Sequence, residues 1–501
     1  MPLKVQPSEN SLSSSQQVKN PGFALVLALL LLAGLVMGAL GAMPTGDAVA
    51  NIKGSNEKTL RVLITPRSQA GHIHLRNHPS IKIKHDWKGR FTAEVPEDAL
   101  PTLLLDADIQ PVELLDLHEV AGHNNYGINE KRNHRSVCGD SVCQGFEKWT
   151  CPKDCIGRPI PPGKIVNPWG PSTNPTPPQS PVKPSPLPAT PIITPIQPSS
   201  PIRSCFPSVQ REYNVLQVGG GQSGAGAGVN VAVLDTGTTS SHLDLASNIK
   251  VCVDTTDVGV QNTCQDTDSS GHGTHTTGIV AANGGADGQG MFGVAPGANI
   301  FAVKVCASGC YADDIAEGID YAAHAGAHII SMSFGTAAES QLIKDAILRH
   351  PDVLFIASAG NAGPAQNTIN FPAAHTAVIA VSANDQNKAV VWFSSRGITD
   401  GNDNSISARE VELSAGGLNI EAPNKDGCYS RLSGTSFSAP VIAGLAANVW
   451  DQADGIIDGK GDAGSVRRFL LSKAQDITVA DGGGAGPGYD ISSGYGLPVV
   501  S

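Results

Sequence analysis

The stretch VNVAVLD, residues 229–235, is rich in β-branched residues and ends in a carboxylate. Four similar runs follow it (NIFAVKV, AHIISMS, DVLFIAS and TAVIAVS), and helical patterns such as DDIAEGIDYAAHAG and AESQLIKDAILRH lie between them. Short apolar runs that alternate with helices predict an α/β fold, with a mostly parallel sheet covered by helices on both faces. Active groups in such folds collect at the carboxyl ends of strands, so Asp235 is a candidate site residue.

Two histidines and one asparagine also stand at element boundaries among small residues. DSSGHGTHTTGIVAA places His272 at the start of a helix and His275 one turn later. No H-E-x-x-H pattern or third ligand accompanies this pair, so we expect His275 to be a packed, hydrogen-bonded helix residue. ASAGNAGP places Asn361 after an apolar strand, where its amide could donate to an oxyanion or could simply hold a turn.

The stretch GTSFSAP, residues 434–440, precedes the apolar run VIAGLAANVW. We expect this run to be a buried helix with Ser436 at its N-terminus, where free N–H groups favour a negative charge. The simpler alternative is that Ser436 or Thr435 only caps the helix. Small neighbours would let another group approach the Ser436 hydroxyl, which suits a nucleophile whose product is an oxyanion.

Nucleophilic catalysis needs a base near the hydroxyl and a group that orients the base. Residues from about 211 to 501 resemble subtilisin-like serine proteases, in which Asp, His and Ser follow in this chain order. The stretches VAVLDTGTTSSHLDL, GHGTHTTGIVAA, ASAGNAGP and SGTSFSAPVIAGLAA carry the resemblance. It implies Asp235 as the orienting group, His272 as general base and acid, and Ser436 as nucleophile. It also implies that Asn361 and the N–H of Ser436 are oxyanion donors.

The sequence departs from the family at several positions. Phe437 stands where the family has Met, Val441 stands where it has His, and LSAGGLNIEAPNKDGCY lacks its proline-glycine turn. None of these changes a predicted catalytic group. The predicted function is therefore a serine endopeptidase acting on proteins or peptides without a catalytic cofactor. A catalytically inactive relative that serves in adhesion or binding is the alternative.

The resemblance also implies a substrate edge and a calcium site. Ser308 and Gly309, with Tyr311, match an edge that pairs with the substrate backbone opposite Ser333, Phe334 and Gly335. Asp244 and Asp287 match positions of the family's structural calcium site, and their oxygen ligands suit that ion. Two solvated turn aspartates are the alternative.

Ten cysteines, an even number, fit an oxidising compartment. We hypothesise that Cys306 bonds Cys310 and stiffens the substrate edge. Five extended residues would separate the two α-carbons by more than about 7 Å, the limit for a disulfide, so this loop must bend. Cys252 with Cys264 and Cys205 with Cys428 are the remaining pairs that we expect in this region.

The chain divides into five predicted segments. Residues 1–50 hold the apolar run FALVLALLLLAGLVMGALGA and the small-x-small pattern AVA, which predict a cleaved export signal or a retained anchor. Residues 57–120 resemble the family's inhibitory propeptide, and their pattern predicts a small α+β domain that could alternatively bind another ligand. Residues 138–155 form a cysteine-rich module, 156–204 a proline-rich linker and 205–501 the peptidase domain.

The charge and the N-terminal run predict the cellular context. A net charge of −11 without a dense basic run argues against nucleic-acid binding. We expect a zymogen that is secreted or otherwise extracytoplasmic and is inhibited by its own propeptide. Membrane attachment would follow only if the N-terminal segment stayed as an anchor.

Overall fold

The structure is a computed structural model. Between residues 59 and 120 it describes 59–67, 75, 81–87, 90–97, 99–100, 103, 113–115 and 117–120. From residue 205 to 500 it describes all positions except 258, 264–265, 269, 399–406, 453–461 and 478–487. The predicted export segment, the cysteine-rich module, the proline-rich linker and Cys264 lie outside the described residues.

The strands are β1 (Thr59–Ile64), β2 (Lys82–Trp87), β3 (Arg90–Pro96), β4 (Glu113–Leu114), β5 (Leu117–Val120), β6 (Asn230–Asp235), β7 (Ile249–Asp254), β8 (Gln261–Asn262), β9 (Asn299–Lys304), β10 (Cys310–Tyr311), β11 (Ile329–Met332), β12 (Phe334–Gly335), β13 (Leu354–Ser358), β14 (Val378–Asn384), β15 (Leu413–Gly416), β16 (Ile420–Pro423), β17 (Tyr429–Leu432), β18 (Ala474–Gln475) and β19 (Leu497–Pro498). The helices are α1 (Tyr213–Gln217), α2 (His272–Ala281), α3 (Ala312–His324), α4 (Gln341–Arg349), α5 (Ala439–Val449) and α6 (Ala463–Ser472).

The central sheet has the order β15-β14-β13-β11-β6-β9-β7-β8. Every neighbouring pair in it is parallel except β7 with β8, which are antiparallel. The five apolar runs of the sequence correspond to β6, β9, β11, β13 and β14. The predicted α/β class with a mostly parallel sheet is thus confirmed.

Strand residues alternate between two apolar layers, as the period of a pleated strand requires. In β6, Val231 and Val233 pack into the layer that holds α2 and α5. Ala232 and Leu234 pack into the opposite layer, which holds α3 and α4. Because helices cover both faces, these strands are apolar on both sides, and this explains their nearly continuous apolar runs.

Residues 59–120 contain a four-stranded antiparallel sheet of order β2-β3-β1-β4 with its own core. Leu63 of β1 also packs into the layer of the central sheet that holds α3 and α4. Leu100 and Leu103 are helical. These strands and helical residues agree with the predicted α+β composition. The predicted inhibitory role stays a prediction.

Two disulfides join described residues. Cys306 is bonded to Cys310 with a Cα–Cα distance of 4.2 Å, and Cys205 is bonded to Cys428 with 5.3 Å. Both pairings agree with the expectation from the sequence. Cys252 is also disulfide-bonded, although its predicted partner is not described. None of the helices within the described ranges is long and apolar enough to cross a membrane.

Candidate active site

Three of the predicted site residues lie at the carboxyl edge of the central sheet. Asp235 ends β6, Ser333 follows β11, and Asn361 follows β13. These strands are neighbours in the order β13-β11-β6, so their carboxyl ends lie side by side. The parallel sheet therefore gathers groups that are far apart in the sequence.

Asp235 and His272 are in direct contact. His272 Nδ1 donates a hydrogen bond of 2.7 Å to Asp235 Oδ1, and both residues are almost completely buried. The Asp235 carboxylate also accepts bonds from the amide of Thr236 at 2.7 Å and from the hydroxyl of Thr276 at 3.1 Å. These bonds fix the orientation of the imidazole ring through Nδ1, and the second ring nitrogen, Nε2, takes no part in them. His272 Nε2 is buried and has no hydrogen-bond partner among the described residues.

Asp268 holds the first turn of α2, which carries His272. Its carboxylate accepts bonds from the amides of Gly271 at 2.8 Å and Thr274 at 2.7 Å, which supply the side-chain cap that Gly271 cannot. It also accepts a 2.8 Å bond from the hydroxyl of Thr236, the residue after Asp235. Asp268 thereby ties β6 to α2. Sequence reasoning missed this residue, although an acid just before a helix start is a recognised capping signal.

The contact between β6 and α2 requires glycine at position 273. A Cβ on Gly273 would overlap the carbonyl oxygen of Gly237 and lie 3.2 Å from the Cβ of Asp235. The backbone of α2 can therefore approach the loop after β6 only without a side chain here. The small residues beside His272 in the sequence reflect this close approach.

Ser436 lies in a 3₁₀ turn, Thr435–Phe437, and α5 begins three residues later at Ala439. The expectation that Ser436 stands at the N-terminus of the α-helix is therefore wrong in detail. Pro440 occupies the first turn of α5, where its fixed φ is favourable and its missing N–H costs no helical hydrogen bond. The buried Ser436 hydroxyl donates to the carbonyl of Ser333 at 3.1 Å.

Asn361 is anchored to the same turn. Its side-chain oxygen accepts bonds from the amide and the hydroxyl of Thr435, both at 3.0 Å. Thr435 Oγ1 in turn accepts a 3.1 Å bond from the amide of Gly360. With its oxygen engaged, the exposed Asn361 side chain keeps its NH₂ group for another acceptor. Thr435, which sequence reasoning treated as a possible cap, positions this amide.

Phe437 connects the serine turn to the histidine helix. Its buried ring lies 5.4 Å from the His272 ring and 4.6 Å from the His275 ring, measured between centroids. His275 Nε2 lies 3.2 Å from the carbonyl of Ile420 and 3.1 Å from that of Ser430. Burial lowers the pKa of His275 to about 3, so this ring is neutral. The expectation that His275 is a packed, hydrogen-bonded residue is confirmed.

A short third strand fills the groove beside Ser333. Strand β5 pairs antiparallel with β10 on one side, with Tyr311 opposite Leu117, and with β12 on the other, with Gly335 opposite Glu119. Phe334 and Gly335 were predicted to form such an edge. On the second edge Tyr311 pairs as expected, and Cys310 pairs beside it.

Ser308 and Gly309, which were expected on this edge, lie instead in the bend closed by the Cys306–Cys310 disulfide. Within the bend, the amide of Ala307 donates to the carbonyl of Gly309 at 3.0 Å. This turn bond and the bridge reverse the chain direction before β10 begins. The sequence alone did not place the end of the bend.

The two predicted calcium ligands differ in environment. The buried Asp244 carboxylate accepts bonds from the amide of Met291 at 2.8 Å and the hydroxyl of Tyr429 at 2.7 Å. A Cβ on Gly290 would overlap Asp244 Oδ1, so the backbone at position 290 lies directly against this carboxylate. Asp287 lies on that loop, is exposed and accepts a bond from the amide of Gln289 at 3.1 Å. Asp244 offers the carboxylate oxygen that a hard cation prefers, and its Oδ2 already accepts two hydrogen bonds.

A parallel α/β sheet with a His–Asp pair, a neighbouring serine turn and a strand-binding groove at its carboxyl edge defines a serine hydrolase of the peptidase type. The model of the subtilase family, Peptidase_S8, matches residues 226–496. The chain is 41% identical over 300 residues to a subtilisin of Bacillus sp. (strain TA39), covering 56% of this chain and 69% of that protein. It is 35% identical over 259 residues to subtilisin DY of Bacillus licheniformis, covering 50% and 85%.

Solved structures agree with these relatives. S41 psychrophilic protease matches with a TM-score of 0.54 and 37% identity, covering 59% of this chain and 99% of that one. Sphericase matches with a TM-score of 0.55 and 35% identity over the same shares. The chain therefore belongs to the subtilase family and is a serine endopeptidase of the subtilisin type.

Proposed function

We propose that Ser436, His272 and Asp235 form the catalytic triad of this endopeptidase. The observation that carries the proposal is the 2.7 Å bond between buried His272 Nδ1 and Asp235 Oδ1. This bond makes Nε2 the acceptor nitrogen of a neutral imidazole and stabilises the imidazolium that forms when Nε2 takes a proton. Rotation of the Ser436 hydroxyl away from the Ser333 carbonyl would direct its proton toward Nε2.

The reaction that this arrangement supports is acyl transfer in two stages. Ser436 Oγ attacks the carbonyl carbon of the substrate while its proton moves to His272 Nε2. His272 then gives that proton to the departing amine as the peptide C–N bond breaks, which leaves an acyl ester on Ser436. Water hydrolyses the ester with His272 again as base. The NH₂ group of Asn361 would donate to the oxyanion at each tetrahedral stage.

We propose that residues 57–120 are an inhibitory prosegment and that the protein is a zymogen. The support is the position of β5, which lies as an antiparallel strand between β10 and β12. A protein substrate would add its backbone to the same two edges, with main-chain hydrogen bonds giving affinity. As long as β5 occupies them, a substrate strand has no place to pair.

Export is the context that we propose for this enzyme. The apolar run at residues 23–42 and the AVA pattern at 48–50 support a signal or an anchor. The Cys306–Cys310 and Cys205–Cys428 disulfides support an oxidising compartment. The mature peptidase would then act on proteins or peptides outside the cytoplasm.

We further propose a structural calcium ion at Asp244 and the loop that carries Asp287. The carboxylates and the backbone oxygens of this loop would hold the ion, which supplies positive charge and no catalytic chemistry. Bound calcium would lock the 284–290 loop against Asp244. The buried Asp244 carboxylate and the close backbone at positions 290 and 291 support this site.

The test of the catalytic proposal is the variant Ser436→Ala, expressed as the full chain. We expect no peptide hydrolysis, no labelling by an active-site serine reagent and accumulation of unprocessed precursor. Ser438→Ala is the matched control, since Ser438 is equally buried and its hydroxyl makes no hydrogen bond to a described residue. The control should stay active, and full activity in Ser436→Ala would refute the proposed triad.

A further inference from the structure

A buried cluster of charged side chains joins β1 and β2 to the start of α3. Arg61 Nη1 donates to Asp313 Oδ2 at 2.7 Å and to Asp314 Oδ1 at 3.0 Å. His85 Nε2 adds a 3.0 Å bond to the same oxygen of Asp314. The four side chains are at most 9% exposed, so this cluster is removed from water. Such a buried set of charges is retained only where the groups are paired, as they are here.

The acidic side of the cluster is a receptor for a guanidinium group. Besides its contacts with the carboxylates of Asp313, Asp314 and Glu94, the Arg61 guanidinium lies 4.6 Å from the centroid of the Tyr311 ring. A planar cation held over an aromatic ring and bonded to carboxylates matches arginine better than lysine. Asp313 Oδ1 is also buried without a hydrogen-bond partner among the described residues, so the receptor has a further acceptor.

The receptor adjoins the groove that the substrate strand would enter. Tyr311 is the residue of β10 opposite Leu117 of β5, and Asp313 and Asp314 follow it directly at the start of α3. The amide of Leu115 donates to the carbonyl of Arg61 at 3.1 Å, so the strand leading into β5 passes beside Arg61. In a substrate strand that took the place of β5, one residue would lie opposite Tyr311, as Leu117 does. The residues one or two positions before it would then lie beside Asp313 and Asp314.

We propose that Asp313, Asp314 and the Tyr311 ring form a subsite of the mature enzyme for an arginine side chain of the protein substrate. Arg61 fills this subsite in the precursor. The inference rests on the proposed removal of residues 57–120, which takes Arg61 and His85 away and uncovers both carboxylates. The start of α3 then presents two carboxylates to solvent beside its N-terminal dipole.

The test uses mature enzyme from the full wild-type chain and internally quenched peptides. One arginine is moved through a glutamine-containing peptide, from the third to the seventh residue before the cleaved bond. We expect kcat/KM to rise about tenfold at one of these positions, the scale of a charge-assisted hydrogen bond. Lysine at that position should give a smaller gain, glutamate a loss, and salt should weaken the preference.

Three variants separate the subsite from other causes. Asp313→Asn with Asp314→Asn should bring the arginine-to-glutamine ratio close to one. Asp352→Asn, an exposed acid before β13 at the opposite edge of the sheet, should keep the wild-type ratio. Mature enzyme from an Arg61→Gln precursor should also keep it, since the change is removed with the prosegment.

Each outcome bears on a different proposal. Equal cleavage of all arginine and glutamine peptides by wild-type enzyme would overturn the subsite, even if the double variant failed to fold. Cleavage of none of them would refute the proposed catalytic function instead. The third outcome is an active product that still carries Arg61, which N-terminal sequencing would detect. That result would refute the zymogen proposal and the subsite together.

Discussion

His275 should make the stability of this protein depend on pH. Its ring is fully buried against Phe437, and burial lowers its pKa from 6.5 to about 3. In the unfolded chain the ring would titrate at its ordinary value. Between these two pKa values the unfolded state binds a proton that the folded state rejects, so unfolding becomes easier as pH falls. The stabilisation is complete above pH 6.5 and is lost progressively toward pH 3.

The expected size follows from the two pKa values. A pH of 5 lies about 1.5 units below the ordinary histidine pKa, so the unfolded chain binds a proton there that the folded protein does not. This difference lowers the free energy of unfolding by about 2 kcal/mol. This loss would be a sizeable share of a typical folding free energy of about 5–15 kcal/mol. Replacement His275→Gln keeps a donor for the carbonyls of Ile420 and Ser430 but cannot titrate. The replacement should therefore remove the part of the free energy of unfolding that depends on protonation of His275.

The assay is urea unfolding of the full chain at pH 8 and pH 5, in a Ser436→Ala background that prevents self-digestion. Lowering the pH should cost the parent about 2 kcal/mol more than the His275→Gln variant. The two chains share every other titratable group, so their difference isolates His275. His324→Gln, an exposed histidine on α3, is the control that should behave like the parent. An equal loss in parent and His275→Gln would refute a neutral buried His275.

Three further predictions concern the site and its supports. Asn361→Ala should lower kcat about 100-fold or more with little change in KM, the effect known from removing one oxyanion donor in a subtilisin, and unchanged kcat would exclude Asn361 from that role. Cys306→Ser with Cys310→Ser should raise KM for long peptides more than for a one-residue ester, because the substrate edge must then become ordered on binding; equal effects on both substrates would count against a stiffened edge. A calcium chelator should lower the Tm of the mature enzyme but leave the Tm of an Asp244→Asn variant unchanged. An unchanged Tm of the parent enzyme in the presence of chelator would exclude a stabilising ion.

The sequence predicted the strands that lie at the centre of the sheet better than those at its margins. Runs such as VNVAVLD are apolar because both faces are buried, and they correspond to strands. Strand β7, with the sequence IKVCVD, has an exposed lysine at position 250. Strand β15, with the sequence LSAG, has only four residues, most of them with small side chains. Both are held by pairing with β9 and β14, and a local pattern cannot reveal such pairing.

The candidate site shows the same limit. Asp235 and His272 could be found because each ends or begins an element among small residues, and the structure brings them into contact. Asp268 and Thr435 act through hydrogen bonds to residues 32 and 74 positions away, so their roles depend on the tertiary fold. Ser308 was misplaced because a disulfide bend, rather than local propensity, decides where the edge strand starts.

Residues 306–314 would link inhibition to substrate preference. The disulfide at Cys306 and Cys310 closes the bend, Tyr311 pairs with β5, and the next turn supplies the acids that hold Arg61. If the prosegment and the substrate use the same edge and the same acids, a change that weakens one contact weakens both. Neutralising Asp314 would then loosen the prosegment and reduce the arginine preference together. Stronger inhibition by the prosegment would accompany stricter substrate choice, because a single surface sets both binding free energies.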